Sequence, residues 1–229
     1  IVAQNYKTAQ VFTAHGIDFC CNGGIPLQQA CEQQKVDLQV VIDEINWALA
    51  TPETENFAAM PLDELVRHIE RVHHTYVRNT LPALTTYLTK LCQVHGERHP
   101  ELFEIKDLFD QSAVELTHHM AKEEEILFPY IQALAAAQKG KFPLSPPHFG
   151  HLQNPISMME AEHETEGSRF KTIAALADNY TPPKDACQTY QVAFMVLKEF
   201  ETDLHKHIHL ENNILFPNAL AMYESVFAQ

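Results

Sequence analysis

His119-Met120-Ala121-Lys122-Glu123-Glu124-Glu125-Ile126-Leu127-Phe128-Pro129 and His207-Ile208-His209-Leu210-Glu211-Asn212-Asn213-Ile214-Leu215-Phe216-Pro217 are one pattern written twice, His-x-x-x-Glu-x-x-Ile-Leu-Phe-Pro. Residues i and i+4 stand one above the other on a helix face. A histidine and a carboxylate so placed can ligate one metal, or the carboxylate can bridge two. The chain has 14 histidines, and only these two carry Glu four positions on. The repeat predicts two helices facing each other across a metal site.

Around these strings the sequence predicts four long amphipathic helices, roughly 62–94, 101–137, 155–179 and 184–223. Gly96 to Pro100, a proline-bearing stretch 140–154 and Thr181-Pro182-Pro183 connect them. The fold class is therefore all-α, an up-down four-helix bundle with an interior able to hold metal. Ahead of it, residues 1–55 form a small helical domain. It has a short helix over 7–15, a turn-rich 16–26, and a helix starting at Asp37 as N-cap with Val40, Val41, Ile45 and Leu49 inward. Residues 51–56 read as a linker, and 56–229 as the bundle domain.

Composition narrows the function classes. Net charge is −14, which argues against a nucleic-acid backbone or an anionic membrane as partner. No apolar run approaches the roughly 18 residues that span a bilayer. The chain begins at Ile1 rather than Met, and its first residues contain no secretory apolar core. Five cysteines without scaffold spacing point to a reducing cytoplasm.

Helical phase selects the inward histidines. His119 shares a face with Leu108, Ser112, Leu116, Glu123, Ile126, Tyr130 and Leu134, whereas His118 falls among Gln111, Lys122 and Glu125. His207 joins Phe200, Leu204, Glu211 and Ile214, while His205 and His209 fall with Glu201, Thr202, Asn212 and Asn213. His163 is the histidine of the third helix, in phase with Ile156, Met159 and Phe170. In the first helix, periodicity leaves His73 and His74 open. His73 continues Leu62, Val66 and Ile69, and His74 leads into Val77, Leu81 and Leu84. Height is consistent with His74, which lies about 23 residues before the first hairpin turn, as the His119–Glu123 pair lies about 23 after it. His95, about 31 Å from His74 along a straight helix, falls outside the site.

The candidate first shell is His74, His119, Glu123, His163, His207 and Glu211. Mixed imidazole and carboxylate donors suit iron better than structural zinc, which is usually four-coordinate and Cys-rich. A rival set, Glu70-x-x-His73, Glu115-x-x-His118 and Glu160-x-x-His163, has no counterpart in the fourth helix. The prolines after Leu-Phe and after Leu81 are expected to kink their helices by removing a backbone donor. Cys20 and Cys21 are adjacent within Asp18-Phe19-Cys20-Cys21-Asn22-Gly23-Gly24, which predicts redox or transfer thiols rather than a staple. Cys31, Cys92 and Cys187 are expected as buried small apolar residues.

Taken together, Asp18-Phe19-Cys20-Cys21-Asn22-Gly23-Gly24, Val72-His73-His74 ahead of Leu81-Pro82, both His-x-x-x-Glu strings and Met159-Glu160-Ala161-Glu162-His163 resemble the iron–sulfur cluster repair family. The likeness covers nearly the whole chain, with Asn22 interrupting the usual Cys-Cys-Gly-Gly. It implies a hemerythrin-like bundle with two non-haem irons, oxo- and carboxylate-bridged, and His74 as the first-helix ligand. It further implies a cytoplasmic stress protein that repairs clusters damaged by nitric oxide or peroxide, with damaged or apo iron–sulfur proteins as partners. A homodimer is compatible with it. Iron donation is the favoured activity. The alternatives are nitric oxide reduction at the diferrous site, and hemerythrin-type binding of oxygen or nitric oxide.

Overall fold

A computed structural model of the chain describes residues 1–21, 23–50, 56–140 and 144–227. Asn22 and most of the expected linker, 51–55, lie outside the described residues.

The amino-terminal segment folds as α1 (Ala9–Ala14), α2 (Leu27–Gln34) and α3 (Leu38–Leu49). Asp37 caps α3, its carboxylate accepting the N–H groups of Gln39 and Val40. Such a cap contributes about 1 kcal/mol. The buried face of α3 is Val41, Ile45 and Ala48. Val40 and Leu49, expected inward, are each 46% exposed. Adjacent positions on a helix diverge by about 100°, so Val40 and Val41 cannot both point in.

The first bundle helix runs through α4 (Leu62–Ile69), a π-turn (Glu70–His74) and α5 (Thr75–His95). The second runs through α6 (Glu101–Lys122), a π-turn (Glu123–Leu127) and α7 (Phe128–Gln138). The third is α8 (Gln153–Leu176). The fourth runs through α9 (Gln188–Leu210), a π-turn (Glu211–Leu215) and α10 (Phe216–Phe227). Neighbours pack α5 on α6, α6 on α8, α8 on α9 and α9 on α5, the ring of an up-down bundle. The third helix stops short of residue 179, because Asp178, Asn179 and Tyr180 adopt left-handed backbone with φ of 47°, 51° and 62°. The fourth begins four residues later than expected, after Pro182-Pro183 and an extended Cys187.

The π-turn at Glu123–Leu127 corrects the expected core face of the second helix, whereas Ile214 in the fourth is buried as expected. Phe128 N–H bonds back to Glu123 O and Phe216 N–H to Glu211 O, five residues rather than four. Each wide turn adds a residue and advances the phase beyond it. Ile126, expected inward, is therefore 41% exposed, while Leu127, Phe128 and Ile131 are buried. Pro129 and Pro217 cannot donate to the carbonyls four residues back, and the wide turns before them absorb that loss. Proline is not the common cause, since Pro82 lies well beyond the first π-turn. What the three share is a buried ligand candidate at one end, His74, Glu123 or Glu211.

Two apolar clusters fill the interior. One gathers Leu65, Ile69, Phe128, Ile131, Leu152 and Phe216 at one end of the bundle. The other joins Leu84, Phe109, Phe170, Phe194 and Phe200 to Phe12, Phe19, Cys31 and Ile45 of the amino-terminal segment. Each fully buried aliphatic or Phe side chain contributes about 1.5–3 kcal/mol. Cys31 and Cys92 are buried as expected, but Cys187 is exposed, its Sγ 3.2 Å from His95 Nε2. Its place just before α9, with extended backbone, turns it outward. Among the described residues no helix is long and apolar enough to cross a membrane.

Candidate metal centre

Between the two apolar clusters lies a polar layer made by all four helices. His74 comes from the first, His119 and Glu123 from the second, His163 from the third, and His207 and Glu211 from the fourth. All six are buried, both carboxylates completely. The structure brings every predicted first-shell residue together, in two overlapping groups: His74, Glu123, His207, Glu211 and His119, Glu123, His163, Glu211. Both carboxylates belong to both groups.

The inward atoms are the four Nε2 nitrogens and the carboxylate oxygens. His74 Nε2 lies 3.1 Å from His207 Nε2, and His163 Nε2 lies 3.0 Å from His119 Nε2. Glu211 places Oε1 2.9 Å from His207 and Oε2 3.1 Å from His163. Glu123 Oε2 is 3.4 Å from both His74 and His119. Octahedral donors with bonds of about 2.1 Å stand about 3.0 Å apart, so these separations fit a metal ion shared by each group. Electrostatics favours the same reading. Neither oxygen of Glu123 has a hydrogen-bond partner, nor does Oε2 of Glu211. A buried carboxylate so poorly paired as Glu123 is costly, and a cation beside it removes that cost. The donor set therefore fits the metal that the sequence implied.

The neighbouring charges shift in the same sense. Burial opposes ionisation of Glu211, yet His207 and His163 hold its carboxyl well below the usual range. Burial also opposes a charged His163, but Glu211 and Glu123 outweigh it and raise its pKa to about 9. His207 shifts the other way, lowered chiefly by burial.

Three outer-facing Nδ1–H groups find acceptors, which orients each ring. His74 donates to Glu124 Oε1 at 2.6 Å, His119 to Glu162 Oε2 at 2.9 Å, and His163 to Asn212 Oδ1 at 2.7 Å. Such partners fix the tautomer that leaves Nε2 free to ligate. Glu124 is held in turn by Arg78 at 2.5 Å and Glu162 by Lys122. The hydrogen bond from His119 brings Glu162 down to about 2. Among the described residues His207 Nδ1 has no hydrogen-bond partner; its ring stacks on His73 with centroids 5.5 Å apart and 7° between planes. His73 itself bonds Asp203 Oδ1 at 2.9 Å.

Sequence phase missed several of these. Glu124, Glu162 and Asn212 each sit next to a ligand in the chain, and that adjacency was their only signal. His73 and His74 are both buried, because the π-turn ending at His74 lets adjacent residues face in. His209, expected on the wet face, is buried against Tyr6 and Phe19, and burial lowers its pKa to about 4. Of the rival set, Glu115 and Glu160 are exposed, and among the described residues Glu70 joins no metal-ligating group.

A cavity of about 250 Å³ reaches His119, His163 and His207. Its outer wall includes Glu115, His118, Lys122 and Glu162, which are exposed or half-buried. Deeper in, Glu166 is buried, accepting from Ser112 Oγ at 2.7 Å and pairing with Arg169. Burial raises the Glu166 pKa.

The thiols lie against the third helix. Cys21 Sγ is 3.6 Å from the His163 carbonyl oxygen, and the Asn212 and Asn213 amides reach the Cys20 carbonyl at 3.4 and 3.1 Å. The hydrogen bond between the two thiols lowers the Cys21 pKa and raises that of Cys20.

Residues 65–219 match the family described as the hemerythrin HHE cation binding domain, and residues 1–49 match a domain of unknown function, DUF542. The chain is 33% identical over 218 residues to the iron-sulfur cluster repair protein ScdA of Staphylococcus haemolyticus, covering 94% of each chain. It is 35% identical over 219 residues to the iron-sulfur cluster repair protein YtfE of Musicola paradisiaca, covering 93% of this chain and 91% of the relative. YtfE of Yersinia pseudotuberculosis is 34% identical over 215 residues, with 93% and 91% covered. The bundle is of the hemerythrin cation-binding class, and the chain belongs to the iron–sulfur cluster repair family.

Proposed function

We propose that the chain holds two non-haem irons in the polar layer and donates iron to rebuild damaged iron–sulfur clusters. Support comes above all from the two overlapping ligand groups that share Glu123 and Glu211. In this reading His74 and His207 would hold one iron and His119 and His163 the other, with Glu123 and Glu211 shared between the two groups. When bound, the irons supply Lewis acidity and open positions for small ligands.

The chain's own groups do the rest. Glu124, Glu162 and Asn212 hold three rings in the ligating tautomer, and the apolar clusters close the layer at both ends while the cavity opens it at the side. No thiolate enters this shell, so the cargo is held by exchangeable nitrogen and oxygen donors and can be released to a sulfur-rich client. Residues 1–55 serve as the docking and transfer part and 56–229 as the iron-bearing part. Cytoplasmic residence and clients that are apo or damaged iron–sulfur proteins accompany this reading.

Anaerobic incubation of the diferrous protein with an apo iron–sulfur enzyme tests it. Reactivation with loss of iron from the bundle is expected, and none despite full loading overturns it. The cavity onto His119, His163 and His207 admits a small ligand, and reduction of nitric oxide there is the second reading. Catalytic nitrous oxide under anaerobic turnover would establish reduction, and a substoichiometric yield would dismiss it.

A further inference from the structure

Outside the polar layer, one other group of metal-ligating atoms converges among the described residues: Asp18, Cys20 and Cys21, all within 4.8 Å of one another. Asp18 shapes the loop. Its Oδ1 accepts the N–H groups of Cys20 and Cys21, each at 2.9 Å, and the Cys20 thiol at 3.2 Å. The two sulfurs stand 3.9 Å apart.

Adjacent Cα atoms lie about 3.8 Å apart, less than the roughly 4.4–6.8 Å that a disulfide prefers. Two thiolates on a tetrahedral ion, with bonds of about 2.3 Å, instead stand about 3.8 Å apart. The observed sulfur separation matches a shared cation. Access fits as well, since Asp18 is exposed, Cys21 is half-buried and Cys20 forms the floor.

We propose that Asp18, Cys20 and Cys21 form a second metal site, a three-donor seat for a divalent thiophilic cation, where iron leaving the bundle is held in transit. The transit role rests on the donor reading above; the seat does not. Binding is ligand exchange without change of oxidation state. Each ligating thiol gives its proton to solvent and regains it when the cation leaves, and a client donor takes the open fourth position. The seat lies on the outer side of the helical turn that carries His163 inward. Gly167 leaves room there, because a Cβ at that position would come within 3.3 Å of Cys21 Sγ. Asn212 touches both sites, accepting from His163 and donating to the Cys20 carbonyl.

The test is an anaerobic titration of the iron-loaded full chain with cobalt(II). One additional cobalt per chain is expected, with an intense thiolate-to-cobalt charge-transfer band. Cys20→Ser and Cys21→Ser should each weaken the band and the double variant should lose it, Asp18→Asn should weaken binding tenfold or more, and Cys187→Ser should leave it unchanged. Bundle iron is measured in each variant, and Cys21→Ser, which keeps the Asp18 turn, guards against a collapsed loop. No band in the parent chain, or one surviving in the Cys20→Ser/Cys21→Ser double variant, overturns the seat. Reactivation of an apo-enzyme separates the two readings. Thiol variants that lose cobalt yet reactivate at the parent rate overturn the transit role. A parent chain that binds cobalt but reactivates nothing overturns the donor reading and leaves the seat standing.

Discussion

Asn212 Oδ1 accepts the Nδ1 proton of His163 across 2.7 Å, while the Nδ2 of the same amide reaches toward the Cys20 carbonyl. One neutral side chain thus orients a ring in the polar layer and touches the thiol loop. Asn212→Ala leaves that ring free to turn, and lost partners of this kind cost about 10–100-fold in metal affinity. Chelator competition should show faster loss of iron; retention equal to the parent would deny the amide this role.

Glu123, Glu124 and Glu125 are adjacent and structurally unlike. Glu123 lies in the ligand layer, Glu124 orients His74, and Glu125 is exposed. Glu123→Gln should bring iron to one per chain or fewer. Glu124→Gln should keep both irons with affinity about 10–100-fold lower. Glu125→Gln should behave as the parent. Metal analysis across the three variants checks the order, and equal effects would contradict it.

Stability of the chelator-stripped chain should fall on the alkaline side. His163 is raised to about 9 by Glu211 and Glu123 against the opposition of burial. A raised histidine stabilises fully below its unfolded pKa of about 6.5, and that contribution is lost as pH climbs through the folded value. Glu211, depressed, stabilises above the carboxylate range and loses its contribution as pH falls below it. Tm of the stripped protein should therefore drop between about pH 6.5 and 9, at about 2–4 °C per kcal/mol. A flat profile over that window would contradict the assignment.

Phe19 fixes the amino-terminal segment to the bundle. It is buried against Tyr6, Phe12 and His209, with centroids 6.2, 6.4 and 5.6 Å away. Phe19→Ala should cost about 3–5 kcal/mol of docking. Limited proteolysis should then cut ahead of residue 50 while bundle iron stays near the parent level. Unchanged protease resistance would show that other contacts suffice.

Much of the ligand layer was legible because i, i+4 spacing is a property of one helix. His119–Glu123 and His207–Glu211 needed only helical geometry, and the family resemblance, with antiparallel height in agreement, chose His74 over His73. What escaped depends on departures from the regular helix or on other segments. Ile126 was misassigned because a π-turn intervenes. His209 was misassigned because its cover, Tyr6 and Phe19, comes from nearly 200 residues earlier in the chain. Glu162 and Asn212 were passed over because an acceptor for an outer ring nitrogen has no periodic signature. Cys187 was misassigned because isolation in sequence says nothing of exposure.

The three wide turns each seat one more residue at the ligand layer than a regular helix would. A single-residue deletion within 123–127 or 211–215 would close the turn to a regular one and leave Phe128 and Ile131, or Phe216 and Ala219, facing the core. The same deletion in the regular helix beyond would swing every later side chain by about 100°. The extra residue is therefore kept for the ligand layer and not for the apolar interior, and a relative could lose it without unmaking the fold.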